Sequence, residues 1–551
     1  MRPHHPLCAV AFALSGLTPL AWSQTAPDAG QTLRQVTPQQ TAPLPSRPLD
    51  LEPPTAPPTA PGGVQVTVTS VQVTGNTVFS SDELAARLKD AVSQRLDLAG
   101  LRQLADRITT YYRDAGYPFA RAFLPPQDLA SGVLLIDVVE GRFGRVQVRQ
   151  ADATLAAEAQ PFLDTLVPGS VIQSAVLERA TLLLDDLPGV RTTPVLRPGQ
   201  ALGTGDLEVG IERAQPLTGD IGYDNHGNRY SGYHRLRANL DINSPFQLGD
   251  QIALRGLLSD EGLWLGSVGY SWPLNGDGWR GQVGYAQTAY DLGSEFASLG
   301  ANGTAKVWTA GVSHALVRSQ KMNLRWSMLY QHKRLRDDRD SAGTSERKSS
   351  DSLPLTLQFD RRDDWGGGGI IYGVLGWTVG RLKLDAALAT ADTNNTRGGF
   401  AKIHLDITRL QALSPTFSLV GRVQGQWANS NLDSSEKLAL GGPTAVRAYP
   451  TGEGNGDTGW LVQMELRHQA SAHYAPYLFV DAGSVKALAQ PGANVANVQR
   501  DLAGVGAGLR YQRGAWSADV KLAWRTDGGV PQSDGGRDSK PRLWLSLSRR
   551  L

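Results

Sequence analysis

The sequence contains only one cysteine, Cys8, in 551 residues. Cys8 lies inside an apolar stretch, residues 7–20, which follows Arg2 and precedes a small-x-small cleavage site at 21–23. This arrangement predicts that residues 1–23 are a secretory signal peptide. The exported chain then has no cysteine, which excludes a disulfide framework, a thiolate metal site and a cysteine nucleophile.

An excess charge of one sign and a long apolar run are lacking as well. Lys and Arg number 54 against 52 Asp and Glu, so no basic face is indicated and no nucleic-acid partner is expected. After residue 23 no apolar run approaches the ~20 residues of a transmembrane helix. Trp and Tyr, at 13 and 15, both outnumber the 12 Phe, and these residues favour a membrane–water interface. Such an exported chain is soluble in the periplasm, secreted, or a β-barrel.

Catalytic motifs are lacking too. The sequence has no H-E-x-x-H metalloprotease motif, no G-x-S-x-G nucleophile elbow and no phosphate-binding P-loop. We therefore predict that the protein is not an enzyme and that it requires neither a cofactor nor a metal ion.

Residues 24–63 form a predicted linker because ten prolines favour extended, semi-rigid chain. A segment at about 28–36 contains no proline and predicts a short helix. An isolated helix of that length is marginal in water, so it requires a docking surface.

Two α+β modules follow, at 64–141 and 142–213, each with the predicted order β-α-α-β-β. In the first module, Ser80 or Ser81 is expected to cap a helix with Leu84, Leu88 and Val92 on one stripe. Because both modules have the same element order, they are interpreted as an internal structural repeat.

From residue 214 to 551, apolar and polar residues alternate in segments near the ~10 residues of a tilted membrane strand. Short connectors alternate with long polar ones, the latter around 291–304, 335–351, 382–398, 429–458, 483–499 and 526–540. A soluble β-sandwich also alternates, but short turns on one side and long loops on the other indicate an outer-membrane barrel. We predict a transmembrane antiparallel β-barrel of about sixteen strands.

The longest predicted loop, 429–458, contains apolar residues that do not belong on an exposed tip. The stretch includes Gly441, Gly442, Val446, Arg447, Ala448 and Tyr449. We expect the loop to fold back into the lumen, with the glycines permitting a tight return. Strand parity turns Phe479, Asp481 and Gly483 inward, so Asp481 is the predicted charge partner of Arg447.

These residues and the two modules resemble the outer-membrane transporters of two-partner secretion, the exporters of haemolysin and filamentous haemagglutinin. Val446-Arg447-Ala448-Tyr449 resembles the superfamily's V-R-G-Y loop motif, with Ala448 in the position of the glycine, and residues 479–483 resemble its F-x-D-x-G strand motif. The modules resemble polypeptide-transport-associated (POTRA) domains. The first carries that signature at Gly116, Tyr117, Arg121, Pro125, Gln127, Glu140 and Gly141.

The resemblance implies a location in the Gram-negative outer membrane, with the POTRA domains in the periplasm. It implies a pore that recognises and secretes a large exoprotein with an N-terminal secretion domain: an adhesin, a haemolysin or a contact-dependent toxin. It further implies that the 28–36 helix plugs the pore. Outer-membrane lipid, lipopolysaccharide and the barrel-assembly machinery are the other implied partners. The alternative from the same superfamily is an assembly factor that inserts other barrels.

Overall fold

The computed structural model describes residues 26–36, 43, 62–150, 152–492, 497–534 and 539–551. The predicted signal peptide and most of the predicted linker lie outside these residues. Within the described part, no helix is long and apolar enough to cross a membrane. The first element is a helix, α1 (Ala29–Gln35), whose N-cap Asp28 accepts a hydrogen bond from the Gln31 backbone N–H.

The first module is a three-stranded sheet covered by two helices. Its elements are β1 (Val66–Thr67), β2 (Ser70–Thr74), α2 (Ser81–Ala86), β3 (Arg95–Leu96), α3 (Leu98–Asp114), β4 (Arg121–Phe123) and β5 (Val133–Val139). The sheet order is β2-β5-β4, and β1 pairs with β3 in a separate two-residue ladder. Alternate residues of β5 are buried against α3, because successive side chains of a strand point to opposite faces.

The predicted stripe on the first helix is correct for Leu84 and Leu88 but wrong for Val92. Leu84 and Leu88 are fully buried, whereas Val92 is 40% exposed. The α-helix ends at Ala86 because the following chain pairs with the segment after β1. The Ser93 N–H donates to the Val68 carbonyl, and Ser93 adopts the left-handed region with φ +70°.

The second module has the order β-α-α-β-β, which is that of the first module without its short strands β1 and β3. Its elements are β6 (Arg142–Arg149), α4 (Ala153–Ala159), α5 (Ser174–Asp185), β7 (Val190–Pro198) and β8 (Thr204–Arg213), and the sheet order is β6-β8-β7. A 3-10 turn that contains Pro161 ends α4, since proline removes a backbone donor from the helix interior.

The rest of the chain forms a closed antiparallel barrel of sixteen strands, which confirms the predicted fold. Its strands are β9 (Leu217–Asp224), β10 (Arg235–Asn243), β11 (Gln251–Ser259), β12 (Trp264–Pro273), β13 (Trp279–Asp291), β14 (Ala301–Arg318), β15 (Met322–Arg339), β16 (Thr344–Asp363), β17 (Gly369–Leu384), β18 (Gly398–Ala412), β19 (Phe417–Ala428), β22 (Thr458–His468), β23 (Tyr474–Lys486), β24 (Gln499–Arg513), β25 (Trp516–Asp527) and β26 (Arg542–Arg550). Two short strands, β20 (Leu438–Ala439) and β21 (Asn455–Gly456), pair with each other between β19 and β22, and α6 (Ala386–Ala391) follows β17. The barrel closes where β26 pairs with β9.

The second module packs against one rim of the barrel, called the near rim. The Arg318 guanidinium contacts the Asp186 carboxylate at 2.6 Å, and Arg179 donates to the Ala315 carbonyl at 2.7 Å. Leu248, in the turn between β10 and β11, and Ala315, near the end of β14, are buried within the core of the second module. This joint fixes the second module beneath the barrel opening.

The predicted long loop at 335–351 is wrong, because the two strands continue and leave only residues 340–343 as a turn. The register pairs Leu335 with Lys348 across the hairpin. Leu335 and Ser350 are each 1% exposed and face the lumen, so other parts of the chain cover this part of the wall inside the barrel. The predicted connectors 291–304 and 483–499 are also shorter, since β14 begins at Ala301 and β23 ends at Lys486.

Candidate functional site

The candidate site is the lumen loop, residues 429–457, which connects β19 to β22. Its ascending and descending arms pair at β20 and β21, and the Leu440 N–H donates to the Gly454 carbonyl. Gly441 lies where a Cβ atom would approach Glu453 Cβ to 2.5 Å and overlap the Pro450 carbonyl. Gly442 has φ +132°, which side-chain-bearing residues rarely adopt. The two glycines thus allow the loop to turn back on itself.

The turn places Arg447 against the wall strand β23. Arg447 Nη2 and Nε lie 2.6 and 2.8 Å from the two oxygens of the Asp481 carboxylate, and the Arg447 backbone N–H donates to the same carboxylate at 3.0 Å. The side chain of Phe479 lies beneath the guanidinium, with its ring centroid 3.6 Å from Cζ. Arg447 is 2% exposed and Asp481 is fully buried. This bidentate geometry is the strongest form of an arginine–carboxylate contact.

A second carboxylate, Glu465 on β22, completes the charge balance around Arg447. Glu465 accepts from Arg447 Nη1 at 2.6 Å and also contacts Arg467 at 2.7 Å and Arg510 at 3.0 Å. The Gln463 side-chain amide bridges Asp481, at 3.2 Å, and the Ala445 carbonyl. The loop tip is therefore attached to the wall through both its side chains and its backbone.

The residues on either side of Arg447 are buried as well. Val446 and Tyr449 are 0% exposed. The Tyr449 hydroxyl donates to the carbonyls of Asp527 and Gly529, and the Trp544 indole N–H donates to the Arg447 carbonyl at 2.7 Å. These contacts join the loop tip to the last two strands, β25 and β26.

Ala448 replaces the glycine of the resembled loop motif, and its methyl group packs directly over Gly504 on β24. A Cβ atom added at Gly504 would lie 2.5 Å from Ala448 Cβ and 3.0 Å from the Trp524 carbonyl. The two positions therefore share one small volume, which this chain fills from the loop side.

Gly504→Ala is expected to weaken loop docking, and adding Ala448→Gly is expected to restore most of it, because the larger steric overlap is then removed. The expected cost of the single change is about 1–3 kcal/mol, the usual range for overpacking. Limited proteolysis of the lumen loop in the purified barrel measures the effect. Equal protection of the single and double variants would contradict the shared-volume explanation.

A second element, α1, occupies the lumen beside this loop. Ala29, Gly30 and Thr32 are buried, and the Ala29 N–H donates to Asp337 Oδ1 at 2.7 Å. The Asp28 carboxylate contacts Lys348 Nζ at 2.9 Å and accepts from the Ser434 hydroxyl at 2.6 Å. The helix thus contacts the wall and the lumen loop at the same time.

Arg34 continues this contact on the other end of α1. Arg34 donates to the Lys437 carbonyl at 2.6 Å and to the Asn455 side chain at 2.9 Å, both on the lumen loop. Deeper in the lumen, Glu436 of the loop contacts Lys333 at 2.5 Å and Lys402 at 2.7 Å. Asp433 of the loop also contacts Lys348. Four carboxylates and three lysines of the wall therefore lie at the helix–loop interface: Asp28, Asp337, Asp433 and Glu436, with Lys333, Lys348 and Lys402.

These partners of α1 were not predicted from the sequence. Asp337 and Lys348 fall within the predicted long polar loop at 335–351, where a solvated charge is the ordinary expectation. The available signal was the parity of β15 and β16: Lys333, Leu335 and Asp337 continue the lumen-facing series of the same strand.

Two residues of the POTRA signature, Gly116 and Glu140, lie where the two modules meet. The Glu140 carboxylate is 3% exposed and accepts hydrogen bonds from the Thr77 and Val78 N–H groups and from the Tyr112 hydroxyl. Burial alone raises the pKa of Glu140, but these hydrogen bonds hold its pKa below that of an ordinary glutamate. Gly116, with φ +92°, accepts from the Ser174 N–H of the second module.

The other signature residues pack within the first module. Gly141 has φ +69°, and a Cβ there would meet Phe119 Cβ at 2.7 Å. The Tyr117 ring packs edge-on against Tyr112. The Gln127 side chain bonds both the N–H and the carbonyl of Leu135, extending the sheet edge next to β4, where Arg121 pairs with Val139. Pro125 precedes this contact and its carbonyl lies 3.3 Å from the Gln127 amide.

Glu140→Ala is expected to destabilise the first module by about 1–3 kcal/mol for each buried donor left without a partner. The lowered pKa gives the wild type a matching pH dependence: the contribution of Glu140 is present above the unfolded glutamate pKa of roughly 4.3 and is lost as pH falls through the folded pKa. Proteolytic nicking of the first module from pH 7 to pH 3 measures both effects. An acid sensitivity unchanged by Glu140→Ala would contradict this assignment.

Two family profiles match the chain. Residues 203–511 match the haemolysin secretion/activation protein family ShlB/FhaC/HecB, and residues 66–141 match the ShlB-type POTRA domain. The first match covers the last strand of the second module, most of the barrel and the whole lumen loop.

Individual relatives agree with these matches. The heme/hemopexin transporter protein HuxB of Haemophilus influenzae is 27% identical across 99% of this chain and 99% of its own length. The outer membrane transporter CdiB of Escherichia coli is 28% identical across 81% of this chain and 75% of its own length. The solved structure of CdiB from Escherichia coli shares the fold, with a TM-score of 0.70, 22% identity, and coverage of 92% of this chain and 94% of that one.

Proposed function

The chain belongs to the haemolysin secretion/activation protein family ShlB/FhaC/HecB, and from that premise we propose how its lumen serves two-partner secretion. The protein is an outer-membrane transporter that recognises a large exoprotein in the periplasm and secretes it to the cell surface. The near rim, which carries the POTRA modules, is the periplasmic side, and the opposite, far rim is the extracellular side.

The observation that carries the proposal is the occupancy of the lumen by two separable elements. The helix α1 and the lumen loop fill the barrel, and each is attached through hydrogen bonds and ion pairs between side chains and the wall. The lumen loop also packs apolar residues against the wall, whereas α1 adds only Ala29, Leu33 and Val36 and their neighbour Ala26 to one apolar cluster. The polar contacts of α1 can be exchanged for others in a water-filled channel. We assign α1 the role of a plug that the exoprotein displaces, and the Pro-rich segment after it gives the plug reach to leave the pore.

Capture of the unfolded exoprotein is assigned to an open sheet edge of the POTRA modules, because an added strand gains backbone hydrogen bonds with little demand on sequence. The edge strand β7 contains Pro194, which lacks a backbone donor and blunts that edge. The edges of β2 and β6 contain no proline. The fourth edge strand, β4, has only three residues, so we assign capture to the longer edges of β2 and β6.

The names of several relatives support a secreted partner. One relative is a heme/hemopexin transporter and another, from Proteus mirabilis, is a hemolysin transporter. For this chain we propose an adhesin, a haemolysin or a contact-dependent toxin with an N-terminal secretion domain. We also propose that the barrel-assembly machinery inserts the barrel, with lipopolysaccharide and outer-membrane lipid surrounding it.

The test compares culture-medium and outer-membrane proteomes of cells with and without this protein. Loss of one very large exoprotein from the medium, with other barrels unchanged, is the expected result and identifies the cargo. Broad depletion of outer-membrane barrels would instead point to an assembly factor and overturn the proposal.

A further inference from the structure

The outward face of β14–β17 is basic above its apolar band. The exposed apolar residues of these strands include Met328 and Tyr330 on β15, Leu353 and Leu355 on β16, and Trp377 and Val379 on β17. The strands then continue toward the extracellular rim with charged residues on the same outward face. We propose that this face, called the basic ledge and comprising Lys306, Arg334, Arg336, Arg347, Arg381 and Lys383, binds the phosphate groups of lipopolysaccharide in the outer leaflet.

The strand register arranges the basic ledge in successive rungs. Directly above the apolar band, Trp308 pairs with His332, His332 with Asp351, and Asp351 with Arg381. In the next rung, Lys306 on β14 pairs with Arg334 on β15. Arg334 also pairs with Ser349 on β16, which pairs in turn with Lys383 on β17. The third rung places Arg336 beside Arg347. Paired residues of neighbouring strands lie about 4.5–5.5 Å apart, so the six cations form one compact patch.

The patch is not neutralised by its own carboxylates. Asp351 accepts from Tyr330 and His332 and lies 3.5 Å from Lys383, and Asp338 pairs with Arg336 at 2.8 Å. A third acid, Asp385 after β17, accepts from the Arg347 backbone N–H at 2.7 Å. Six cations against these three acids leave three positive charges. Among the described residues, Lys306 and Arg381 have no ion-pair partner. The side chains of Lys383 and Arg336 remain 64% and 51% exposed.

The aromatic residues below the ledge fix its height relative to the membrane. Trp308, Tyr285 and Tyr330 face outward, and the Arg334 guanidinium lies 5.3 Å from the Trp308 ring centroid. Trp and Tyr rings with one apolar and one wet end settle at the headgroup level. The cations one or two rungs higher therefore lie at the level of the headgroup phosphates, where each basic residue near an anionic surface contributes about 1 kcal/mol.

The described outward positions of β23 and β24 on the opposite wall do not carry such a patch, which argues against a general property of the rim. The corresponding outward positions there pair Ser484 with Asp501 and Lys486 with Gln499, a balance of one cation and one anion. The exoprotein passes through the lumen and does not meet an outward face. The occupant that matches the chemistry is thus the phosphorylated glycolipid of the outer leaflet.

This inference rests on the proposed outer-membrane function, and the test separates the two. The full-length protein is purified in detergent, and binding of diphosphorylated lipid A is compared with binding of its dephosphorylated form and of phosphatidylglycerol. The triple variant Lys306→Gln, Arg334→Gln, Lys383→Gln removes three cations, and Lys486→Gln on the opposite wall is the matched control. Heat-modifiable migration in SDS gels verifies the folded barrel of each variant.

Wild type and Lys486→Gln are expected to bind diphosphorylated lipid A with equal affinity, and the triple variant about 100-fold more weakly, from three contacts of about 1 kcal/mol each. Dephosphorylated lipid A is expected to lose affinity for the wild type to a similar degree. Equal binding of the two lipid A forms to the wild type would overturn the proposal, as would equal binding of phosphatidylglycerol. If the triple variant misfolds, the comparison of the lipids on the wild type still tests the proposal. Exoprotein secretion is measured alongside: its absence from wild-type cells would count against the proposed function and not against the ledge.

Discussion

Replacement of Arg447 by alanine is expected to reduce exoprotein secretion at least tenfold while the barrel itself stays folded. The side chain joins the lumen loop to the wall through Asp481 and Glu465. Removing it leaves the fully buried Asp481 with only the Gln463 amide at 3.2 Å and the Arg447 backbone N–H. An uncompensated buried charge costs about 3–5 kcal/mol, so the loop tip is expected to leave its position.

The barrel tolerates this change because its hydrogen-bonded ladder does not depend on the loop. Glu465 also retains Arg467 and Arg510, so only one carboxylate is left without a cation. The effect is therefore local to the loop. Release of the exoprotein into the medium measures the functional loss, and heat-modifiable migration of the barrel verifies folding.

Two further variants separate loss of the charge pair from loss of bulk. Arg447→Ala with Asp481→Asn removes the stranded charge and is expected to recover part of the loop protection against protease. Arg467→Ala is the matched control, because Arg467 contacts Glu465 from a more exposed position and does not reach the loop. If Arg467→Ala reduced secretion as strongly as Arg447→Ala, loss of lumen charge in general would explain the result.

The strand alternation was sufficient to predict the barrel, because lipid outside and water inside impose opposite demands on neighbouring residues. Leu478 and Val480 face lipid and are well exposed, whereas Asp481, on the lumen-facing side of the same strand, is buried. The same parity, together with the loop motif, predicted that Arg447 and Asp481 form a charge pair. The structure places them in direct contact.

The alternation failed where the strands leave the membrane. Above the apolar band of β15 and β16, both faces meet polar surroundings, so Arg334 and Arg336 outside alternate with Lys333 and Asp337 inside. A pattern of charges on both faces resembles a loop when read along the sequence. The contacts of α1 could not be predicted from the sequence for a second reason. They join residues more than 300 positions apart, such as Asp28 and Lys348, and no sequence periodicity indicates such a contact.

Gly30→Leu is expected to displace α1 from the lumen and to open the channel. Gly30 packs against the lumen loop so closely that an added Cβ atom would overlap the Ser434 hydroxyl and lie 2.6 Å from the Ser435 backbone nitrogen. The neighbouring loop segment is held by Glu436, which contacts Lys333 and Lys402, so it has little freedom to yield. Overpacking of about 1–3 kcal/mol follows, and 2 kcal/mol changes the ratio of docked to undocked helix about 30-fold.

Single-channel conductance of the purified protein in a planar bilayer measures this effect, as does sensitivity of cells to an antibiotic too large for ordinary porins. Asp28→Asn offers an independent route to the same state. It removes the ion pair of Asp28 with Lys348 while keeping a residue that can cap the helix. Both variants are expected to raise the open fraction.

Gln31→Ala is the matched control, because it lies next to Gly30 on α1 and alanine favours the helix. Its conductance is expected to equal that of the wild type. If Gly30→Leu and Asp28→Asn also conduct like the wild type, α1 is not the element that closes the pore. The lumen loop alone would then close it, and Arg447→Ala would become the variant expected to open the channel.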